Sequence, residues 1–262
     1  MHYKVEGILI RKIPHKERDL IGSLLLRNGK TISGVFYGGM GGGKKNKPSI
    51  LESGRLFEVG FVHKKKELGD GQLVSFRDYS LKWTPKNIRT NYQAFYLLNF
   101  FLEFISKVTF QASLESLDDG ENEEIFRLLS NAIFYLEKSV TDDLFELETQ
   151  MLLFLTKACL ELGIAPSFRN CGFCEKQLAI SNLASFDFEN GGFVCSECAE
   201  KGRDFQNTKE MWVYFSQVWF KKYSEYHSLP KPTLKTSEEL FTGTLRQFNL
   251  SRSDFKSTNL IW

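Results

Sequence analysis

Four cysteines in two closely spaced pairs constrain this chain more than any other feature. Cys171-Gly-Phe-Cys174 and Cys195-Ser-Glu-Cys198 are two CxxC pairs separated by 20 residues. Each pair can place two thiolates on one metal ion, and two such turns complete a tetrahedral site. Because all four ligands are sulfur, no position remains for an activated water. The spacing therefore predicts one structural zinc ion rather than a catalytic one.

Other interpretations of these cysteines are weaker. Four free cysteines could share this spacing by chance, and iron could take the place of zinc. A redox CxxC of the thioredoxin type occurs once, beside a βαβ pattern that this sequence lacks. The fifth cysteine, Cys159, lies on an apolar helical stretch, and we expect it in the core. The segment between the two pairs, with Phe186, Phe188, Gly191-Gly192 and Phe193, favours a small hairpin beneath the metal.

The cysteine interpretation depends on the compartment. The start, from Met1 to Glu6, lacks the basic and apolar regions of a signal peptide, and no stretch reaches 18 apolar residues. A soluble cytoplasmic protein is therefore expected. Thiols stay reduced there, which favours metal ligands over disulfides.

The charge of the chain is strongly asymmetric. The net charge is only +2, but residues 1–90 hold 18 basic and 8 acidic side chains, a balance of +10. Residues 91–170 hold 5 and 13, a balance of −8, and residues 171–262 hold 11 of each. This division indicates a polyanion-binding N-terminal part, although a solvated basic face without a partner would give the same count.

The first eighty residues have the pattern of strands. Short β-rich runs cover 3–11, 24–26, 31–37, 56–63 and 73–81, with turn residues between them and no helical period. Asn28-Gly29 is a hairpin signal because both residue types tolerate positive φ, and Gly7 suggests a bulge or tight bend. About five short strands of this kind predict a small sheet closed into a barrel.

The period changes after Pro85 to that of helices. One helix is predicted around 92–105, with Phe95, Leu98, Leu102 and Ile105 on one side, and the next begins near Glu121 with carboxylates in its first turn. A third is expected from about Asp142 to Leu162, with Gly163 at its C-terminal end. Two more follow, from Thr208 to about Tyr226 and from a capping box Thr236-x-x-Glu239. We therefore predict an α+β protein with a division at residues 1–82 and 83–262, and a zinc-binding segment at 168–200.

The candidate nucleic-acid contacts are cations of the strand region. They lie after the first strand, beyond the hairpin turn, and in the glycine-rich loop 38–48: Arg11, Lys12, Lys16, Arg18, Lys30, Lys44, Lys45 and Lys47. His15 and the cluster Lys64–Lys66 lie in the same region. A small barrel with basic loops is a common way to follow a phosphodiester backbone. Tyr3, Phe36 and Tyr37 could stack on bases, although aromatic residues on strands more often belong to the core.

The zinc segment is not itself a good phosphate-binding surface. Between Cys171 and Cys198 it holds one lysine, Lys176, against four acidic residues. An enzyme, such as a metal-dependent nuclease, is a weaker alternative because the carboxylates cluster at predicted helix starts and the histidines show no ligand spacing. A zinc-stapled interaction scaffold, with the aromatic helix around 92–104 as its partner face, is a second alternative.

The order of these features resembles a known family. Val5-Glu6-Gly7-Ile8-Leu9-Ile10-Arg11, followed by Lys16-Glu17-Arg18-Asp19-Leu20-Ile21, is similar to the opening of RecO, the bacterial DNA repair and recombination mediator. Asn28-Gly29-Lys30 resembles its hairpin, and the loop from Gly38 to Lys47 stands where its basic loop stands. Leu162-Gly163-Ile164-Ala165-Pro166 resembles the family's lead into the zinc segment, and Gly191-Gly192-Phe193-x-Cys195-x-x-Cys198 its close.

The resemblance carries expectations about fold and function. It implies an N-terminal OB-fold β-barrel followed by an α-helical domain that embeds the zinc site of four cysteines. It implies a non-catalytic protein that binds single- and double-stranded DNA, anneals complementary strands and helps to load recombinase onto coated single strands. The implied partners are RecR and the tail of single-strand binding protein, and the implied location is the bacterial cytoplasm, at the nucleoid.

Overall fold

The computed structural model describes residues 2–41, 50–62, 73–109, 123–187, 192–199, 205–229, 231 and 233–260. The chain divides into two compact units, the first extending to Glu137 and the second from Lys138 to Asn259. The strands give way to helices after Trp83. The domain division at 82/83 remains a prediction.

The first unit begins with a five-stranded barrel, as predicted. Its strands are β1 (His2–His15), β2 (Asp19–Leu26), β3 (Thr31–Phe36), β4 (Leu56–Val62) and β5 (Val74–Trp83). The barrel closes in the order β1-β2-β3-β5-β4, with β3 and β5 parallel and every other pair antiparallel. A closed five-stranded barrel with this crossover is an OB-fold.

Alternation along the strands builds the barrel core. On β4, Phe57, Val59 and Phe61 are buried while their neighbours are partly exposed, because successive side chains of a strand point to opposite faces. The rings of Phe36 and Phe76 lie 4.5 Å apart inside the barrel. Gly34 makes room for them: a Cβ atom there would lie 2.5 Å from the ring of Phe76. Small residues facing large rings let the interior close without voids.

The hairpin predicted at Asn28-Gly29 is confirmed, with one change of detail. The backbone N–H of Gly29 donates to the carbonyl of Leu26 (2.9 Å), and the N–H of Leu26 donates to the carbonyl of Lys30 (2.8 Å). Gly29 has φ +79°, whereas Asn28 keeps a negative φ. A three-residue loop with glycine in the left-handed position is the commonest connection after the two-residue type.

The bulge expected at Gly7 is wrong. Gly7 pairs in register with Leu26, and the register shift of β1 lies between Leu9 and Arg11. A Cβ at Gly7 would lie 2.9 Å from the carbonyl oxygen of Leu25. Glycine is therefore needed at this position for close approach of the neighbouring strand.

The strand-to-helix junction of the first unit is organised by a carboxylate from a distant helix. A 3₁₀ turn (Ile88–Thr90) leads to α1 (Tyr92–Val108), and α2 (Glu123–Thr141) follows. Glu137 of α2 accepts hydrogen bonds of 2.8–3.0 Å from the backbone N–H groups of Lys86, Asn87 and Ile88. These bonds satisfy the donors that a helix start leaves unpaired. The prediction that the carboxylates of this region lie at helix starts is therefore wrong for Glu137, which lies near the C-terminal end of α2.

Within the described residues, the second unit packs three α-helices and a hairpin. Its elements are α3 (Leu147–Glu161), β6 (Leu183–Asp187), β7 (Gly192–Cys195), α4 (Phe205–Phe220) and α5 (Leu234–Gln247). Strands β6 and β7 pair antiparallel. Helix α3 is buried on almost every side, and Cys159 is 2% exposed in its core, as predicted.

Three predicted helix boundaries are wrong. Helix α3 begins at Leu147 and not near Asp142, since Asp143 takes φ +56° and interrupts the helix. Helix α4 ends at Phe220, and a separate 3₁₀ helix covers Tyr223–Ser228. Helix α5 is capped by Thr233, whose side chain accepts the N–H of Thr236, so the predicted capping box at Thr236 lies one turn too late. The predicted C-terminal role of Gly163, which has φ +73°, is confirmed.

In the part of the chain that the structure describes, every helix is too short or too polar to span a bilayer.

Candidate metal centre and nucleic-acid face

The two CxxC pairs meet at one point of the second unit. Cys171 and Cys174 lie in the loop before β6, Cys195 is the last residue of β7, and Cys198 lies in the turn after it. The four sulfur atoms all lie within 4.8 Å of one another. The Sγ atoms of Cys174 and Cys195 are 3.7 Å apart. The sequence-predicted quartet is thus brought together completely.

Backbone hydrogen bonds form each pair into a tight turn. The N–H of Glu175 donates to the carbonyl of Cys171 (3.0 Å), and the N–H of Cys198 donates to that of Cys195 (3.1 Å). The N–H of Gly172 donates to the carbonyl of Phe193 (2.9 Å), which ties the first turn to β7. The sulfurs are therefore positioned by main-chain contacts.

The environment of the cysteines prepares one of them to lose its proton. Burial raises the pKa of Cys171. Hydrogen bonds from the backbone N–H groups of Cys174, Cys195 and Phe173 outweigh this effect, and the resulting pKa is about 6. One of these bonds, from the N–H of Cys195, measures 3.4 Å. The pKa of Cys198 rises to about 12, mainly because hydrogen bonds with Cys174 and Cys195 favour its protonated thiol, and the charge of Cys174 adds to the rise. Four thiolates this close need a cation to coexist.

An aromatic cluster supports the centre from the interior. Phe186 of β6 and Phe193 of β7 pack with ring centroids 4.7 Å apart, and Phe193 lies 6.1 Å from Phe215 of α4. The predicted hairpin beneath the metal is confirmed for these residues. Phe188 and Gly191 lie outside the described residues.

The donor set fits a single tetrahedral metal ion. Metal–sulfur bonds of about 2.3 Å give a tetrahedron with edges of about 3.8 Å, which matches the 3.7 Å between Cys174 and Cys195. Lys176 and Glu197 form an ion pair across the two turns. Cys159 lies in the core on α3 and is not among the four sulfurs that converge. The four cysteines can thus hold one metal ion with no open position.

The barrel places some of the predicted cations on its surface. Arg11 is exposed on β1. Lys16 and Arg18 are exposed in the three-residue turn between β1 and β2, which the pair His15–Asp19 closes. The carbonyl of Arg18 accepts the N–H of Met40 (3.0 Å), so this turn lies beside the start of the β3–β4 loop.

Two other predicted cations differ from these three, one in its contacts within the protein and the other in its burial. The ammonium of Lys12 donates to the carbonyl of Leu51 (3.0 Å) and lies 3.3 Å from Glu52, which also pairs with Arg89. Lys30 is half-buried after the hairpin turn, where its backbone N–H donates to Asn28 (3.2 Å). Lys44, Lys45 and Lys47, like the cluster Lys64–Lys66, lie outside the described residues.

The three aromatic residues that could stack on bases differ clearly in their exposure to solvent. Tyr3 is half-buried and stacks on Phe61 at 5.4 Å, and Phe36 is 1% exposed. Tyr37, in contrast, is 60% exposed. Sequence reasoning missed Arg77, an exposed cation on β5. The parallel pairing of β3 and β5 places Arg77 beside Tyr37. No local pattern in the sequence indicates that pairing.

Comparison with known proteins agrees with this architecture. The family model described as "Recombination protein O C terminal" matches residues 89–210, which include all four cysteines of the metal centre. "DNA repair protein RecO" of Thermodesulfovibrio yellowstonii is 30% identical over 201 residues, which cover 76% of this chain and 71% of that protein. The chain belongs to the RecO family.

Further relatives support the same assignment. RecO proteins of Bacillus cereus and Bacillus anthracis are each 27% identical over 201 residues, covering 77% of this chain and 72% of theirs. The OB-fold barrel precedes the segment that the family model matches, so the RecO assignment of the helical part and the topology of the barrel are separate observations. Both agree with the resemblance noted in the sequence.

Proposed function

We propose that this RecO-family chain is a non-catalytic mediator of DNA repair and homologous recombination. It binds single- and double-stranded DNA through its barrel, anneals complementary strands and helps to load recombinase onto coated single strands. The observation that carries the proposal is the set of exposed cations on β1 and the turn that follows it in the OB-fold, Arg11, Lys16 and Arg18. None of the three forms an ion pair with another residue that the structure describes.

Annealing requires no acid, base or nucleophile. Two DNA strands repel each other, and a basic surface that neutralises phosphates lowers this repulsion while holding the strands close together. Pairing then becomes nearly unimolecular, which raises its rate without chemistry on either strand. Lys30, Lys44, Lys45 and Lys47 are further proposed backbone contacts, and Lys12 of β1 would join them only if its pair with Glu52 opens on binding.

The four cysteines are proposed to hold one structural Zn²⁺. A bound zinc ion would join the loop before β6 to the turn after β7, and the free energy of binding would add to the folding of the second unit. Metal analysis of the purified protein tests this: we expect one zinc per chain, with loss of zinc in Cys174→Ser and retention in Cys159→Ser. If the protein instead holds one iron per chain, with visible thiolate absorption, the metal is iron and not zinc. If the purified protein holds no metal, the assignment of a metal site is overturned.

The remaining parts of the proposal concern partners and place. We propose that residues 1–82 act as the nucleic-acid-binding domain and residues 83–262, with the zinc segment 168–200, as the helical domain. RecR and the tail of single-strand binding protein are the proposed protein partners, in the bacterial cytoplasm at the nucleoid. Titration calorimetry with purified RecR and with the synthetic tail peptide tests each partner separately, and absence of heat with either removes that partner.

The first experiment on function measures DNA affinity directly. Fluorescence anisotropy with a labelled single strand, repeated across salt concentrations, should show binding that weakens steeply as salt rises. Changing Lys44, Lys45 and Lys47 together to Glu should weaken it further. If the triple variant binds as tightly as the wild type, the loop assignment fails, and if the wild type does not bind at low salt, the DNA-binding proposal fails.

A further inference from the structure

The outer face of the barrel carries a strip without charge at its centre. Strand register places Ile13 opposite Ile21, Ile21 opposite Val35, and Val35 opposite Ser75. These residues alternate with buried ones on β2, β3 and β5, so they lie on the outside. Ile13 is 42% exposed, although it is a large aliphatic residue. Four adjacent strands thus present one mainly apolar row to solvent.

An aromatic ring adjoins this row. Tyr37 follows β3 two residues after Val35 and is 60% exposed. Its hydroxyl accepts a hydrogen bond from the hydroxyl of Ser75 (3.1 Å). This bond limits the rotation of the ring and holds it against the row. A ring fixed in this way loses little conformational entropy when a ligand stacks on it.

Cations lie at both ends of the strip. Arg11 pairs with Ser23, one row away from Ile13. Arg77 follows Phe76, whose partner across the parallel pair is Phe36, so Arg77 lies next to Tyr37. Both arginines are exposed, and neither forms an ion pair within the described ranges. The carboxylate of Asp19, at the start of β2, accepts the backbone N–H of Gly38 (2.9 Å).

We propose that Tyr37, with Ile13, Ile21 and Val35, is a stacking platform for unpaired nucleobases, and that Arg11 and Arg77 bind the phosphates on either side. The platform rests on the proposed function, since it names the part of the single strand that the barrel contacts. The pattern of apolar centre and positive ends matches the pattern of bases and phosphates in a single strand. Each nucleotide of a single strand supplies a flat base and a phosphate together, which a purely apolar protein segment does not.

The platform distinguishes unpaired from paired DNA. The faces of bases in a duplex are covered by neighbouring bases, so only the phosphate contacts remain when strands pair. Affinity for the annealed product is then lower than for the single strands by the stacking contribution. The platform would therefore favour release of the product after annealing.

Substitution of Tyr37 tests the platform. Tyr37→Ala should weaken binding of a fluorescein-labelled 30-nucleotide single strand about tenfold, the scale of one lost stacking contact, and leave affinity for a matched 30-base-pair duplex unchanged. Tyr37→Phe keeps the ring and should retain at least half of the wild-type affinity. Tyr92→Ala, at a tyrosine of α1 that is 68% exposed, is the matched control and should bind both DNAs like the wild type.

The outcomes separate the platform from the proposed function. Absence of wild-type binding to either DNA would refute the proposed function. Wild-type binding with an unchanged Tyr37→Ala variant, or with equal losses for single strand and duplex, would overturn the platform alone. Circular dichroism melts of each variant exclude misfolding as the cause. Light scattering that shows a wild-type dimer and a Tyr37→Ala monomer would assign the strip to self-association and likewise overturn the platform.

Discussion

The salt dependence of DNA binding should divide the predicted cations into two groups. Arg11, Lys16 and Arg18 are exposed and form no ion pair with another described residue, so each can release a counterion from a phosphate. Lys12 already donates to Leu51 and pairs with Glu52. A cation neutralised within the protein contributes little to counterion release.

The expected magnitude follows from the number of free cations. Each phosphate contact on a single strand contributes about −0.7 to the slope of log affinity against log salt. Changing Arg11, Lys16 and Arg18 together to Ala should therefore reduce the slope by about 2. Between 50 and 200 mM salt these three contacts account for about an 18-fold change in affinity. Lys12→Ala should leave the slope almost unchanged.

Fluorescence anisotropy with one labelled single strand at several salt concentrations measures all three slopes. Parallel slopes for the wild type and the triple variant would refute the assignment of these side chains to phosphates. A loss of about 0.7 in Lys12→Ala would show that its pairing with Glu52 opens when DNA binds. Thermal melts of both variants provide the control for folding.

Three further predictions concern stability and are measured by urea or thermal unfolding. Glu137→Gln keeps one acceptor oxygen but puts an NH₂ group, which cannot accept, where the other oxygen received backbone N–H donors; it should cost about 2 kcal/mol, with faster amide exchange at residues 86–88. Gly34→Ala forces a Cβ to within 2.5 Å of Phe76 and should cost about 2 kcal/mol, whereas Gly60→Ala, whose Cβ would meet nothing closer than 3.7 Å, should have little effect; equal effects would contradict the packing argument. Partial burial raises the pKa of Glu210, but hydrogen bonds from two threonines outweigh this effect and lower the pKa below 4.5. The stabilisation from these bonds is complete above pH 4.5 and is lost as the pH falls through the folded-state pKa. Glu210→Gln should therefore lower the melting temperature at pH 7, and much less at pH 3.

Local sequence signals were sufficient for the parts of the fold that short-range chemistry decides. Glycine with positive φ at Gly29 and Gly163 marked a hairpin and a helix end, and the structure has both. Two CxxC pairs were sufficient to identify the metal-binding quartet, because each pair forms its own turn. The capping box failed since Thr233 and Thr236 both suit an N-cap, and Thr236 is instead buried and donates to Glu210 (2.6 Å).

Contacts between residues distant in sequence could not be predicted in this way. The pairing of Lys12 with Glu52 joins residues 40 positions apart, and Glu137 reaches residues about 50 positions earlier. The parallel pairing of β3 with β5 brings Arg77 beside Tyr37. Charge counts therefore identified the basic part of the chain, but only the fold shows which cations remain free.

Annealing of two complementary strands, followed by fluorescence energy transfer between their labels, tests the central proposal most directly. We expect the wild-type protein at low salt to accelerate pairing well beyond the rate without protein, and the Arg11, Lys16 and Arg18 triple Ala variant to lose most of this acceleration. If pairing proceeds at the same rate with and without the wild-type protein, while the strands are demonstrably bound, the annealing function is refuted.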